Sequence, residues 1–442
     1  MTHKRLALAL LALGTGAAVL ALGQLHAALY HYDYGGSFRF GWSAAYVVAL
    51  IASAYGVGLP DLPQDRRGRL IVGASAVLIA AGMVSVIQLF VGDTLLPRFV
   101  VLGSALVLIP GYVGCAALCG KQVSRAQRGS RVVVIGDPSE AKELGEELLH
   151  KPERPACLVD IVEVEEAHAH ARQGQLLTER VLGENASVLV LSREAQLDDA
   201  VISEAANIHS SGVRVRTLLS FYEEWLGRIP IVELERMSLM FDIGEIHRRH
   251  YLRVKRLVDF TFGIVGLLAL GLLLPIVVLG NLVGSPGPLF YRQDRIGKNG
   301  FPFVLIKFRT MRNDGSASTN EWTRRNDLRI TPFGQILRRT HLDELPQVVN
   351  ILRGDLSIVG PRPEQPHYVR WLIDTIPFYD MRHMVRPGVT GWAQVNYPYG
   401  GDEHDALGKL QYDFYYLRHQ GLTLDIRVIV RTLRSIMGLT GR

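Results

Sequence analysis

The sequence predicts a multi-domain membrane protein: a four-helix transmembrane bundle, then a Rossmann-like α/β domain, then a basic C-terminal domain attached to one more apolar segment. Three observations predict it. Four apolar stretches of roughly twenty residues, enough to cross a bilayer core, open the chain. Strand and helix patterns then alternate from about residue 130, as in a parallel sheet covered by helices. Last, a fifth apolar segment runs into a stretch dense in lysine and arginine.

Composition agrees with this layout. A chain of 442 residues suffices for two or three domains, and 48% apolar content is high for a soluble protein. With three cysteines, Cys115, Cys119 and Cys157, no disulfide framework is expected, and the first two sit in an apolar run as small packing residues. The net charge of +6 admits nucleic acid, an anionic membrane surface or an anionic substrate, so its location must decide.

The four stretches lie at about 6–25, 41–59, 70–91 and 99–119. Basic residues flank alternate ends: Lys4 and Arg5, then Arg66, Arg67 and Arg69, then Lys121, Arg125, Arg128 and Arg131. Loops 26–40 and 92–98 are nearly free of them. The positive-inside rule therefore puts both ends of the bundle in the cytoplasm, so the chain after Lys121 begins there. A cleaved signal peptide ending near Leu25-His26-Ala27 is the alternative for the first stretch, opposed by the three that follow. Few ionisable residues lie within the stretches, which argues against an ion path or a transporter.

From Arg131 the run Val132-Val133-Val134-Ile135-Gly136 reads as a buried strand, followed by a helix at 139–149. Val188-Leu189-Val190-Leu191, a helix at 197–209 and a strand at 213–217 continue the alternation, which implies a doubly wound parallel sheet over 130–228. Gly136-Asp137-Pro138-Ser139-Glu140-Ala141 lacks the spaced glycines that let a pyrophosphate approach a helix N-terminus. A nicotinamide-dependent enzyme centred here is thereby disfavoured; a structural, dimerising or ligand-sensing role, with a homodimer among its forms, is expected instead.

The fifth apolar segment, 257–283, carries Asp259 near its start and Pro275 within it. Arg248, Arg249, Arg253, Lys255 and Arg256 precede it, and Arg292, Arg295 and Lys298 follow. A crossing helix would put one cluster on the wrong side, so the expectation is a re-entrant helix broken at Pro275, with both clusters against membrane lipids. An ordinary fifth span with its tail outside is the alternative.

Between Tyr291 and Arg339 stand eleven Lys and Arg against four Asp and Glu. The aromatics in Phe301-Pro302-Phe303 and Lys307-Phe308-Arg309-Thr310-Met311 could suit a single-stranded nucleic acid, yet no nucleic-acid fold signature accompanies them. A phosphorylated membrane substrate fits the neighbouring lipid better, so no nucleic-acid partner is expected. Asp343 and Glu344 follow in Leu342-Asp343-Glu344-Leu345-Pro346-Gln347: one carboxylate can act as nucleophile or bind a hard cation, while a second moves a proton. Arg362, in the turn-rich Gly360-Pro361-Arg362-Pro363-Glu364, can grip phosphate oxygens from a rigid loop.

With these pieces stand Lys255-Arg256-Leu257-Val258-Asp259, Gly284-Ser285-Pro286-Gly287-Pro288, Arg292-Gln293-Asp294-Arg295-Ile296-Gly297 and Arg386-Pro387-Gly388-Val389-Thr390-Gly391-Trp392-Ala393-Gln394-Val395-Asn396. In this order the set resembles the bacterial polyprenyl-phosphate sugar-1-phosphate transferases, also called monotopic phosphoglycosyl transferases, over 255 to about 430. The whole layout looks like the long members that initiate exopolysaccharide or O-antigen synthesis. Lys409-Leu410-Gln411-Tyr412-Asp413-Phe414-Tyr415-Tyr416 departs from the pattern only in Phe414, where leucine is usual.

The resemblance implies four regions: a bundle at 1–120, the α/β domain, a re-entrant helix at 251–284 and a mainly α-helical transferase domain at 285–442. It also implies a two-step phosphoryl transfer at the bacterial inner membrane. Asp343 would attack a UDP-sugar, releasing UMP, and Glu344 would deprotonate the polyprenyl phosphate that takes the sugar phosphate. Arg338, Arg362, Lys307 and Arg309 would bind phosphate, and Asp343 would also contact magnesium. UDP-glucose and UDP-galactose are the commonest donors in the family.

Overall fold

The computed structural model describes residues 2–59, 66–91, 96–126, 130–150, 153–154, 156–173, 176–231, 249–284, 287–312, 329–397 and 403–436. Arg128 and Arg248 of the basic clusters, and Ser285 and Pro286 of the turn motif, lie outside them. The described protein is mostly helical, with small sheets, and forms two compact units: Met1–Ala116 with Met240–Arg442, and Ala117–Leu239.

In the first unit the four apolar stretches are helices Thr2–Tyr30, Phe38–Gly56, Arg66–Val91 and Arg98–Ala126. They share one apolar cluster that includes Val19, Leu50, Val77 and Leu108. Its buried hydroxyls are paired, as an apolar interior demands: Thr15 Oγ1 lies 2.9 Å from Tyr112 Oη and Tyr46 Oη 2.9 Å from Ser104 Oγ. Among the described residues three helices are long and apolar enough to cross a membrane, Ala9–Tyr30, Arg98–Cys115 and His250–Gly284, and Leu70–Ser85 is a shorter apolar helix. Phe38–Gly56 falls short because Arg39, Ser43, Ser53 and two tyrosines dilute it.

The second unit is built on four parallel strands, β1 (Ser130–Ile135), β2 (Ala156–Val162), β3 (Val188–Leu191) and β4 (Arg214–Thr217), in the order β2-β1-β3-β4. Alternate strand residues feed two cores. Val133, Ile135 and Leu189 pack with Val181 and Ile208 on one face, while Val132, Val134 and Val190 pack with Leu144 and Trp225 on the other. Sequence periodicity had no signal for β2, in which Cys157 and Asp160 interrupt the apolar run. Gly136 serves packing here, since a Cβ would stand 2.7 Å from that of Ser192.

The fifth segment is one uninterrupted helix, Arg249–Gly284, so the break expected at Pro275 is not there. Proline forfeits one backbone bond at a cost of about 3 kcal/mol, and packing on both flanks outweighs it. A Cβ on Gly263 or Gly266 would meet Leu352 or Val348 at 2.7 and 2.6 Å; one on Gly280 or Gly284 would press on Phe333. Helix backbone and neighbouring side chains thus touch at both ends. Polar contacts lock the upstream end further. Arg256 donates to the carbonyls of Ile351 and Leu352 at 2.6 and 2.7 Å, and buried Asp259 accepts from Ser357 Oγ and Ile358 N, both at 3.0 Å.

Beyond this helix come an antiparallel hairpin, β5 (Phe290–Ile296) with β6 (Pro302–Phe308), and a short parallel pair, β7 (Ser357–Val359) with β8 (Gly388–Thr390). The C-terminal helix Leu422–Ile436 joins the N-terminal cluster through Val430, against which Gly56 packs. Its Asp425 accepts from Lys255 Nζ at 2.7 Å and from Tyr251 and Tyr416 at 2.9 Å. Asn350, fully buried, stitches helix Val348–Arg353 to β6: its Oδ1 accepts from Ile306 N at 3.2 Å, and its Nδ2 donates to Val304 O at 2.8 Å. Asn350→Ala removes the partner of both main-chain groups in a partly buried site, so the thermal midpoint in detergent should fall by the equivalent of about 1–2 kcal/mol. An unchanged midpoint would show that β6 is not held from this side.

Candidate active site

Strand alternation turns Lys307 and Arg309 to one face of β6 and buries Phe308 on the other, in the cluster formed with Leu270 and Val277 of the long helix. Thr310 follows. Helix Pro332–Arg339 begins beside it, capped by Thr331 Oγ1, which accepts from Gly334 N at 3.0 Å. Gly334 is required there, because a Cβ would fall 2.1 Å from the Thr310 carbonyl. At the other end of this helix Arg338 Nε donates to Thr310 Oγ1 at 2.9 Å.

The chain then reverses through His341, whose φ of 54° is left-handed and costs about 1 kcal/mol for a residue with a Cβ. The reversal starts the 3-10 turn Leu342–Gln347. Leu342 and Leu345 of this turn pack into the cluster on the long helix, while Asp343 and Glu344 between them carry the charge. Lys307 Nζ donates to Glu344 Oε1 at 2.6 Å, and Arg362 Nη2 stands 3.5 Å from the same oxygen.

Burial opposes ionisation of Glu344, but Arg362 and Lys307 overcome it and hold the carboxyl down at about 2. Asp343 goes the other way. Burial and then the charge of Glu344 raise it above the ordinary aspartate range, and Lys307, Arg338 and His341 offset that only in part. The two neighbours are therefore chemically unlike: one is a fixed anion paired with cations, the other a carboxylate short of stabilisation. Such divergence within one site is a mark of chemistry rather than of surface charge.

Of the residues expected from sequence, Lys307, Arg338, Asp343, Glu344 and Arg362 come together. Arg309 lies apart from the carboxylates, with its guanidinium against Gly287, where a Cβ would stand 2.3 Å from Nη1. Gly287 has a φ of +128° and its carbonyl accepts from Asn281 Nδ2 at 3.0 Å, so this turn is tied to the end of the long helix. Pro275 lies inside that helix. Sequence reasoning missed Arg382, gave Asp413 no role, and set Arg295 against membrane lipids, whereas its largely buried side chain donates to Pro363 O at 2.9 Å. Arg295 and Asp413 lie in the quoted motifs and Arg382 in none. Among the described residues no group of three or more His, Cys, Asp or Glu is placed to hold a metal.

Because folded Glu344 titrates below its ordinary value of 4.5, its ion pairs stabilise the protein above that pH and lose this effect as pH falls towards 2. Glu344→Gln should accordingly melt below the wild type at neutral pH, and the gap should narrow as pH falls below about 4.5. A gap independent of pH would mean that the pairing does not operate.

Residues 250–438 match the family model described as bacterial sugar transferase. The UDP-N-acetylgalactosamine-undecaprenyl-phosphate N-acetylgalactosaminephosphotransferase of Aeromonas hydrophila is 39% identical over 226 residues, 48% of this chain and 53% of that protein. The UDP-glucose:undecaprenyl-phosphate glucose-1-phosphate transferase of Xanthomonas campestris pv. campestris is 40% identical over 226 residues, 50% of this chain and 45% of its own length. The chain thus spans about half the length of these two curated relatives. A protein of the same name from Caulobacter vibrioides is 38% identical over 190 residues, 41% of this chain and 69% of that protein. On the family-model match and these likenesses, the chain belongs to the bacterial sugar transferase family.

Proposed function

We propose that this protein transfers a sugar 1-phosphate from a UDP-sugar to a polyprenyl phosphate, giving polyprenyl-diphosphate-sugar and UMP. The observation that carries the reading is the unlike pair Asp343 and Glu344, set among Lys307, Arg338 and Arg362 on a turn that packs against the long apolar helix. The relatives' names, which specify UDP-glucose or UDP-N-acetylgalactosamine and undecaprenyl phosphate, agree with it.

In the first half-reaction a carboxylate oxygen of Asp343 bonds to the phosphorus that bears the sugar, and the bond from that phosphorus to the bridging oxygen breaks, releasing UMP with the electron pair. Desolvation makes Asp343 a stronger nucleophile than an exposed aspartate. In the second, an oxygen of the polyprenyl phosphate attacks the same phosphorus and Asp343 leaves as carboxylate. Glu344 takes the acceptor's proton. At about 2 it is a poor base in the resting site. Phosphate oxygens that draw Lys307 and Arg362 away leave it buried and unpaired, which raises its affinity for a proton.

The donor set also suits magnesium, which is commonly held by one or two carboxylates with substrate phosphates and waters completing its shell. Asp343 would hold the ion, which supplies neutralisation of the diphosphate charge. The protein's own groups do the rest: Arg338 and Arg362 bind phosphate oxygens, Arg309 extends the cationic face towards the lipid, and the apolar helix brings the acceptor's tail to the site.

The same reading covers the membrane. The N-terminal helices form a transmembrane bundle of four, and 130–228 is a Rossmann-like domain that modulates or dimerises in the cytoplasm. The long helix, unbroken at Pro275, lies along the cytoplasmic leaflet of the inner membrane with both ends on the cytoplasmic side and does not cross. Three facts support this placement: one domain grips the helix at Arg256 and Asp259 and again at Gly280 and Asn281. Its opposite face bares Leu268, Leu272, Ile276 and Leu279. A crossing would drag the charged turn beside it into hydrocarbon.

Asp343→Asn should reduce UMP release roughly 10³-fold or more in a folded protein, since an amide forms no acyl phosphate. Near-normal release would overturn the assignment. For the placement of the helix, cysteines placed at His250 and at Lys298 should both be shielded from an impermeant reagent outside intact cells. Labelling at Lys298 alone would mean that the helix crosses.

A further inference from the structure

We propose that Arg382, anchored by Asp413, is a positioning residue that sets where Arg362 presents its guanidinium to the diphosphate. The inference rests on the reading of Arg362 as a phosphate ligand and goes beyond it by saying what aims that ligand.

The segment 360–364 is held in an unusual way. Pro361 and Pro363 have no N–H and a fixed φ, so the segment is gripped by its carbonyls. Four consecutive ones are each caught. Pro361 O accepts from Gly388 N at 2.9 Å, Arg362 O from Arg382 Nη2 at 3.1 Å, Pro363 O from Arg295 Nη1 at 2.9 Å, and Glu364 O from Ile296 N at 3.0 Å. Backbone amides hold the outer two, and guanidinium groups hold the inner two.

Of those two guanidiniums, Arg382 is the buried one, at 5% exposure for the residue against 1% for Asp413. Its Nε and Nη2 donate to Asp413 Oδ2 at 3.0 and 2.7 Å, and its Nη1 donates to Tyr379 Oη at 3.0 Å. Burying an ion pair costs several kcal/mol of desolvation, and apolar residues of similar volume often stabilise as well or better. Retention of the pair is therefore explained by something that packing would not supply. What Arg382 supplies is a donor, held by Asp413 and Tyr379, at the carbonyl of Arg362, whose side chain reaches Glu344 beside that of Lys307. Misplacing a phosphate ligand by about 1 Å can cost on the order of 100-fold in rate.

A double-mutant cycle on the full-length protein in detergent, read by the Kd for UMP, separates positioning from simple core packing. Arg382→Met should weaken UMP binding roughly tenfold, the scale of one charged hydrogen bond, and raise KM for the UDP-sugar. In an Arg362→Met background the same substitution should change the Kd little, because the group it aims is gone. An undiminished effect in that background, or a lowered thermal midpoint with intact UMP affinity, would overturn the proposal. Should Arg382→Met fail to fold, Tyr379→Phe removes one anchor only and should show the same dependence on Arg362, with a smaller loss; independence from Arg362 again overturns it. Failure of the wild type to bind UMP would instead sink the reading of the site on which this one rests.

Discussion

A buried carboxylate does not stay charged on its own, and in this protein Glu344 stays charged because Lys307 and Arg362 face it from two separate elements. Lys307 comes from the end of a hairpin strand and Arg362 from a proline-flanked turn. The two elements lie far apart in sequence, and β5 of the hairpin grips the turn through Arg295 and Ile296, so the site exists only if the fold brings both to the turn that carries Asp343. Much of the C-terminal domain can be understood as satisfying that condition. Asn350 fixes the height of β6, Thr310 ties Arg338 to the same strand, and four trapped carbonyls fix the turn.

The second constraint is the long helix. Glycines let it approach Leu352, Val348 and Phe333 closely, and the leucines of the carboxylate turn pack into the same apolar cluster. The helix face towards the protein positions the carboxylate turn, and the opposite face is left apolar and exposed, so the proposed phosphate chemistry and lipid contact would share one piece of structure. In the proposed reaction the carboxylates would stand beside the place where a lipid phosphate surfaces, which would shorten the path of an insoluble acceptor.

Much of this was legible in the sequence where the signal was local. The carboxylate pair, Lys307 and Arg362 each sit in short motifs, Arg338 came from the family resemblance, and the apolar stretches announce their helices by length. What was illegible depends on contacts between distant residues. Arg382 acts on a main-chain carbonyl twenty positions away, and Asn350 on one forty-six positions away, and neither leaves a spacing pattern. β2 hid because Cys157 and Asp160 spoil its apolar run. Pro275 misled for the opposite reason: its local rule predicts a break, and tertiary packing on both sides overrides it.

The central claim is that Asp343 takes the sugar phosphate covalently before the lipid acceptor reacts. Intact-mass measurement of the protein incubated with a UDP-sugar and magnesium, with no polyprenyl phosphate present, tests it most directly. The account predicts release of UMP and a mass gain of one sugar phosphate, mapped by peptide analysis to Asp343 and discharged on adding polyprenyl phosphate. UMP release that begins only when the acceptor is added, with no adduct on the protein, would contradict it.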